Sequence, residues 1–123
     1  MIRGLGLDVV SIVRLSSWME NPSILERFFH PEELEGARRR GPMMVHSLAA
    51  RFAAKEAFGK ALGTGLAGFS LREVCVLNDE HGKPDLRLYG KAQKALERTG
   101  GVRTFVSLTH EHDYAIAVVI IES

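Results

Sequence analysis

Apolar Leu5, Leu7, Val9 and Val10 alternate around Gly4 and Gly6 at the start of the chain, which predicts a strand that Asp8 interrupts near its end. From Ile12 to Met19 the apolar spacing becomes helical, and Asn21-Pro22 stops it. Residues Ser23 to Arg40 predict one or two short helices. Pro31 falls at a helix start, with Glu32 and Glu33 in the first turn, where the helix dipole favours acids. Gly41-Pro42 breaks the chain again. The longest helical pattern then runs from Met43 to Leu62 and is ended by Gly63.

The second half changes character. Leu71 to Leu77 and Leu86 to Tyr89 predict strands joined across the polar stretch from Asn78 to Pro84. A short helix over Lys91 to Arg98 is closed by Thr99-Gly100-Gly101. Thr104 to Thr109 and Tyr114 to Ile121 predict a hairpin around His110-Glu111-His112-Asp113. The sum is an α+β fold of mostly antiparallel strands with one dominant helix, in a single domain spanning residues 1–123.

Composition narrows the class without choosing a function. At 46% apolar and 25% charged residues the balance is that of an ordinary globular domain. A net charge of +1 gives a weak overall field, and 7% aromatic content counts against a nucleic-acid-binding face. The one cysteine, Cys75, lies in an apolar run and reads as core. The longest apolar run, Tyr114 to Ile121, is too short to span a bilayer. No signal-peptide pattern precedes the first strand, so a reducing, cytoplasmic setting is expected.

Glu56 is the most informative anomaly. On a helical wheel Val45, Leu48, Ala49, Phe52 and Ala53 define an apolar stripe, and Glu56 falls near its middle. A carboxylate on a core face costs free energy unless it is paired or binds a cation. Lys60, at i+4, offers a structural ion pair. The alternative is a metal-ligand carboxylate beside a phosphate-binding lysine, because magnesium sites combine one or two carboxylates with phosphate oxygens and water. Asp8 poses the same choice: a cap for the helix that starts near Ser11 or Ile12, or a second carboxylate presented from a strand end.

Arg51 and Lys55 lie on a different face from Glu56, and with Lys60 they surround one inward acid with three cations, which suits a polyanionic ligand. Gly63-Thr64-Gly65 and Gly68 have neither Walker-loop nor dinucleotide spacing, and they follow a helix C-terminus, where the dipole does not favour phosphate. His30, His46 and His81 are scattered, and no nucleophile–histidine arrangement stands out.

As a set these residues resemble the holo-acyl-carrier-protein synthases, the short phosphopantetheinyl transferases. Gly4 to Val10 is similar to their N-terminal signature, and Arg51 to Gly65 is similar to their central one nearly throughout. Gly82-Lys83-Pro84 and Ser107 to His110 match two further landmarks in order, so the resemblance covers essentially the whole chain. It implies the phosphopantetheinyl transferase fold and transfer of 4'-phosphopantetheine from coenzyme A to a serine of acyl carrier protein, for fatty acid biosynthesis. Asp8 and Glu56 would be the Mg2+ ligands, and Lys60 would neutralise pyrophosphate charge. Arg51 and His110 would lie near the 3'-phosphate of coenzyme A, and Gly63, Thr64 and Gly65 near its adenosine. Lys55 would be a further cation of the ligand site. Either Glu56 or a metal-bound water would take the serine proton. Arg14 would contact the carrier protein, with Arg27 and the Arg38-Arg39-Arg40 run contributing to a basic docking surface. The resemblance further implies a homotrimer with active sites between subunits.

A module that binds coenzyme A without transferring anything is the competing reading. It explains the cations and glycines, but not a core-facing acid beside the same phosphates, because a metal is needed to relieve that repulsion.

Overall fold

A computed structural model describes residues 1–123. Strand β1 (Ile2–Ser11) leads into three short helices, α1 (Ile12–Ser16), α2 (Pro22–Phe28) and α3 (Pro31–Arg38). The long helix α4 (Met44–Leu62) follows a 3-10 turn, and a second 3-10 turn, Leu71–Glu73, precedes β2 (Val74–Asn78) and β3 (Pro84–Leu88). The chain closes with α5 (Gly90–Arg98), β4 (Arg103–His110) and β5 (Tyr114–Glu122). The expected elements are present. The strand expected from Leu71 begins only at Val74, because Ser70 and Glu73 form a capping box that holds the first three residues in the turn.

All pairing is antiparallel. One sheet has the order β1-β5-β4, and β2 with β3 forms a separate ribbon. The sheet's inner face carries Val10, Ala115, Ala117, Val119 and Ile121 against α4, in a core that also takes in Leu15, Phe29, Leu34 and Phe58. No helix is long and apolar enough to cross a membrane.

Helix α4 does not have the single apolar stripe that the wheel suggests. Every residue from Leu48 to Lys55 is buried, so the helix is surrounded by the sheet, by α1 and α3, and by β2. Its approach to β1 is set by two glycines. A Cβ on Gly4 would collide with the carbonyl of Ala61, and one on Gly6 with the carbonyl of Ala57. Strand side chains alternate, so Gly4, Gly6 and Asp8 share the face turned to the helix. Two residues without side chains thus bring the third, a carboxylate, up to α4.

The same alternation turns Leu5, Leu7 and Val9 outward, where Leu5 is 65% exposed and Leu7 61%. Pairing sets Leu5 beside Ile120 and Phe105 in one row, Leu7 beside Val118 in the next, and Val9 beside Ile116 in the third. The outer face of the sheet is therefore apolar across β1 and β5 and meets Phe105, Ser107 and Thr109 on β4.

Candidate active site

Asp8 and Lys60 meet where β1 passes the last turns of α4. Lys60 Nζ donates to Asp8 Oδ1 at 2.9 Å and to the Leu7 carbonyl at 3.1 Å. Asp8 is therefore not a helix cap; the residue at the N-cap of α1 is Ser11. Nor does Lys60 pair with Glu56. Glu56 forms no hydrogen bond and no ion pair, and it faces Asp8, Arg14 and Lys60. Burial, then Asp8, holds its carboxyl above the ordinary value, and Arg14 and Lys60 only partly offset this. Two carboxylates thus converge, one of them without a partner.

Arg14 reaches this cluster from α1. Its guanidinium lies over the rings of Trp18 and Phe52, 5.6 and 5.3 Å from their centroids. Trp18 and Phe52 pack edge to face, and Phe28 completes the aromatic base. The neighbouring Val13 points into solvent, so α1 presents an apolar and cationic edge next to the carboxylates.

A second cluster occupies the first half of α4. Arg51 is 7% exposed; its Nε donates to the Val76 carbonyl at 3.1 Å and its Nη1 to Ser47 Oγ. Burial depresses its pKa from the usual arginine value, Glu33 opposes that, and Arg40 adds to it. A cavity of about 190 Å³ opens here, lined among others by Arg40, Ser47, Arg51, Asn78, Gly82 and His110, with no acidic residue in its wall. Two arginines and a histidine in a wall that holds no acidic residue make an anion site. Arg40, read in sequence as part of a docking run, also lines this cavity. Ser47 and Asn78 carry no sequence signal of their own; only the placement of Arg51 finds them.

Lys55 takes no part in either cluster. It is wholly buried, and its Nζ donates to Glu33 Oε1 at 2.6 Å and to the carbonyls of Leu71 (2.9 Å) and Val74. All three of its donors are used, so the ligand contact expected of Lys55 gives way to a structural one. Burial pulls its pKa down, and Glu33 opposes this. Glu33 also accepts from the main-chain nitrogens of His30 and Val76, both at 2.9 Å, and so ties α3 to α4 and β2. Cys75, next to this pair, has its thiol pushed up to about 12, chiefly by burial. It is inert core.

Asp8 lies on β1 and His110 on β4, the two edges of the sheet; His110 is level with Val10, two residues along from Asp8, so the two stand about 12 Å apart across β5. Gly63 caps α4 at φ 83°, and Gly65 follows at φ 69°. That loop is about 18 Å along the helix axis from Arg51. One protomer therefore keeps the anion cavity apart from both the carboxylates and the glycine loop, which lie toward the other end of α4.

The profile of the 4'-phosphopantetheinyl transferase superfamily matches residues 4–119. The chain belongs to that superfamily. A holo-[acyl-carrier-protein] synthase of Treponema denticola is 54% identical over 122 residues, 99% of each chain, and one of Geobacter metallireducens is 46% identical over 99% of this chain and 98% of its own. Among solved structures, the holo-[acyl-carrier-protein] synthase of Neisseria meningitidis superposes with a TM-score of 0.89 at 38% identity, covering all of both chains. That of Helicobacter pylori, solved with coenzyme A, gives 0.83 at 27% identity over 96% of this chain and 99% of the other. Both the α+β fold and a transferase of this superfamily agree with the sequence reading.

Proposed function

We propose that this phosphopantetheinyl transferase moves 4'-phosphopantetheine from coenzyme A to a serine of apo acyl carrier protein, in the cytoplasm and for fatty acid biosynthesis. The observation that carries the reading is the convergence of Asp8 with an unpartnered Glu56 beside Lys60. A binding module has no use for that arrangement.

Two adjoining carboxylates, one of them pushed toward protonation by burial and then by the other, fit a hard divalent cation. No three His, Cys, Asp or Glu side chains are grouped so as to hold a metal ion by themselves, so substrate oxygens and water would complete the coordination. Asp8 and Glu56 would hold Mg2+, which when bound polarises the pyrophosphate and neutralises its charge.

The chain's own residues supply the rest. Lys60, half-exposed and already on Asp8, places a mobile cation where pyrophosphate charge develops. Arg51 and His110 receive the 3'-phosphate in the acid-free cavity, and Gly63, Thr64 and Gly65 border the adenosine. In the transfer, the serine oxygen bonds to the β-phosphorus and the bond from that phosphorus to the bridging oxygen breaks. Adenosine 3',5'-bisphosphate leaves with the bridging oxygen. The serine proton needs an acceptor, and Glu56 is the carboxylate of the cluster that no hydrogen bond engages. Arg14, between that cluster and exposed Val13, is the contact for the acidic carrier protein.

The exposed apolar sheet face supports self-association, proposed here as a homotrimer with active sites between subunits. In such a ring the Arg51 cavity of one copy faces the Asp8–Glu56 pair of the next, so one ligand spans two clusters that a single protomer keeps apart.

The test is to incubate the protein with apo acyl carrier protein, coenzyme A and Mg2+, with and without chelator, and weigh the carrier intact. A gain of one phosphopantetheine arm that chelator abolishes is expected. Coenzyme A binding without any gain, across a panel of carriers, overturns the reading in favour of a binding module.

A further inference from the structure

His46 stands in the first turn of α4 behind the anion cavity, and it carries the one buried side-chain polar atom in the protein with no hydrogen-bond partner, Nδ1. Its other nitrogen is accounted for. Nε2 lies 3.3 Å from the His112 carbonyl, so Nε2 bears the hydrogen and donates to the β4–β5 turn. In the neutral ring that tautomer leaves Nδ1 as a bare acceptor shut away from water, a costly state unless a donor arrives. The nearest ring is His110, whose centroid is 5.5 Å away at a tilt of 53°. His110 is the member of the pair that lines the cavity with Arg40, Ser47 and Arg51.

Resting on the reading that this cavity takes the 3'-phosphate of coenzyme A, we propose that His46 is the positioning residue for His110. With a phosphate monoester in the cavity, His110 turns one N–H to a phosphate oxygen and the other to His46 Nδ1. His46 in turn is held by the main chain of the turn that follows β4. This chain of hydrogen bonds fixes the aim of His110 and gives the orphaned acceptor its donor. Specificity for a 3'-phosphorylated nucleotide therefore depends on a residue that does not touch the nucleotide.

The experiment compares the binding of adenosine 3',5'-bisphosphate and of 5'-AMP, by calorimetry, to the full chain and to two variants. His46→Phe keeps a ring of similar shape but removes both nitrogens. His46→Gln restores a donor for the His112 carbonyl and an acceptor for His110. The expected result is that His46→Phe binds the bisphosphate about tenfold more weakly and 5'-AMP as before, with an unchanged melting temperature, while His46→Gln recovers most of the loss. Equal weakening toward both nucleotides, or no weakening, overturns the proposal. A wild-type protein that does not prefer the bisphosphate overturns the 3'-phosphate reading of the cavity as well. A preference undiminished in His46→Phe overturns only the role of His46.

Discussion

Lys60 Nζ sits 2.9 Å from Asp8 Oδ1 and leaves Glu56, one turn back on the same helix, without a partner. The i,i+4 spacing that suggests a Glu56–Lys60 bridge is overruled by a strand that arrives from 52 residues away in sequence. The cation on Asp8 is half-exposed, whereas the Asp8 side chain, on a strand drawn up to α4, is largely shielded.

Glu56→Gln is expected to cut transfer by about a hundredfold or more, since it removes one of two carboxylates proposed to hold the cation. The fold should not suffer. Glu56 titrates above its ordinary 4.5 in the folded chain, so its contribution to stability is complete below that value and is lost as pH rises through the raised one. Neutralising it should leave the metal-free melting temperature at pH 7 equal to wild type or higher. Added Mg2+ should raise the melting temperature of the wild type and not of the variant. Near-normal turnover would remove Glu56 from the site.

Lys55→Met is expected to cost about 3–5 kcal/mol in denaturant unfolding, because it strands the Glu33 carboxylate in the core. Replacing both partners, Glu33→Gln with Lys55→Met, should recover part of that cost. A single variant as stable as wild type would show that the pair is not what ties α3 to α4.

Much of the fold is legible in the sequence because its strands alternate and its helices end at Gly or Pro. The two carboxylates are legible as anomalies, each an acid in an apolar run. The pattern misleads where one residue type has two physical uses. Lys55 and Lys60 both read as ligand cations, yet burial consumes the donors of the first and leaves the second on the surface. Leu5, Leu7 and Val9 mark a strand without saying which face is buried, and it is the glycines between them that face inward. The wheel around α4 assumes one wet side, which a helix packed on all sides does not have. Arg40 joins Arg51 only through tertiary packing, which no local spacing encodes.

Gly6→Ala should separate structure from chemistry in the opposite sense to Glu56→Gln. A Cβ there meets Ala57 O and, at 2.7 Å, Ala61 N, all main chain that cannot swing aside. The strand must lift, at about 1–3 kcal/mol, and Asp8 lifts with it. Turnover with Mg2+ should fall by more than the loss of folded protein measured by circular dichroism accounts for. Full activity in this variant would show that the spacing between β1 and α4 is not critical.

Whether the site is shared between copies can be decided by mixing inactive variants. Asp8→Asn disables the carboxylate cluster and Arg51→Ala the anion cavity, and each alone is expected to be inactive. If both clusters of a working site came from one chain, a mixture would remain inactive, since every chain has one defect. In a ring whose sites combine one cluster from each neighbour, co-refolded equal amounts leave about a quarter of the interfaces with both native halves. About a quarter of wild-type activity per site is then expected. Leu5→Glu, which puts a charge into the outer row formed with Ile120 and Phe105, should abolish that recovery when carried by both chains, and light scattering should report a folded monomer. Recovery that persists in such monomers would contradict the interface. An inactive mixture of properly assembled trimers would place the whole site within one chain, and Arg51 would then have to act across the breadth of α4 from Asp8.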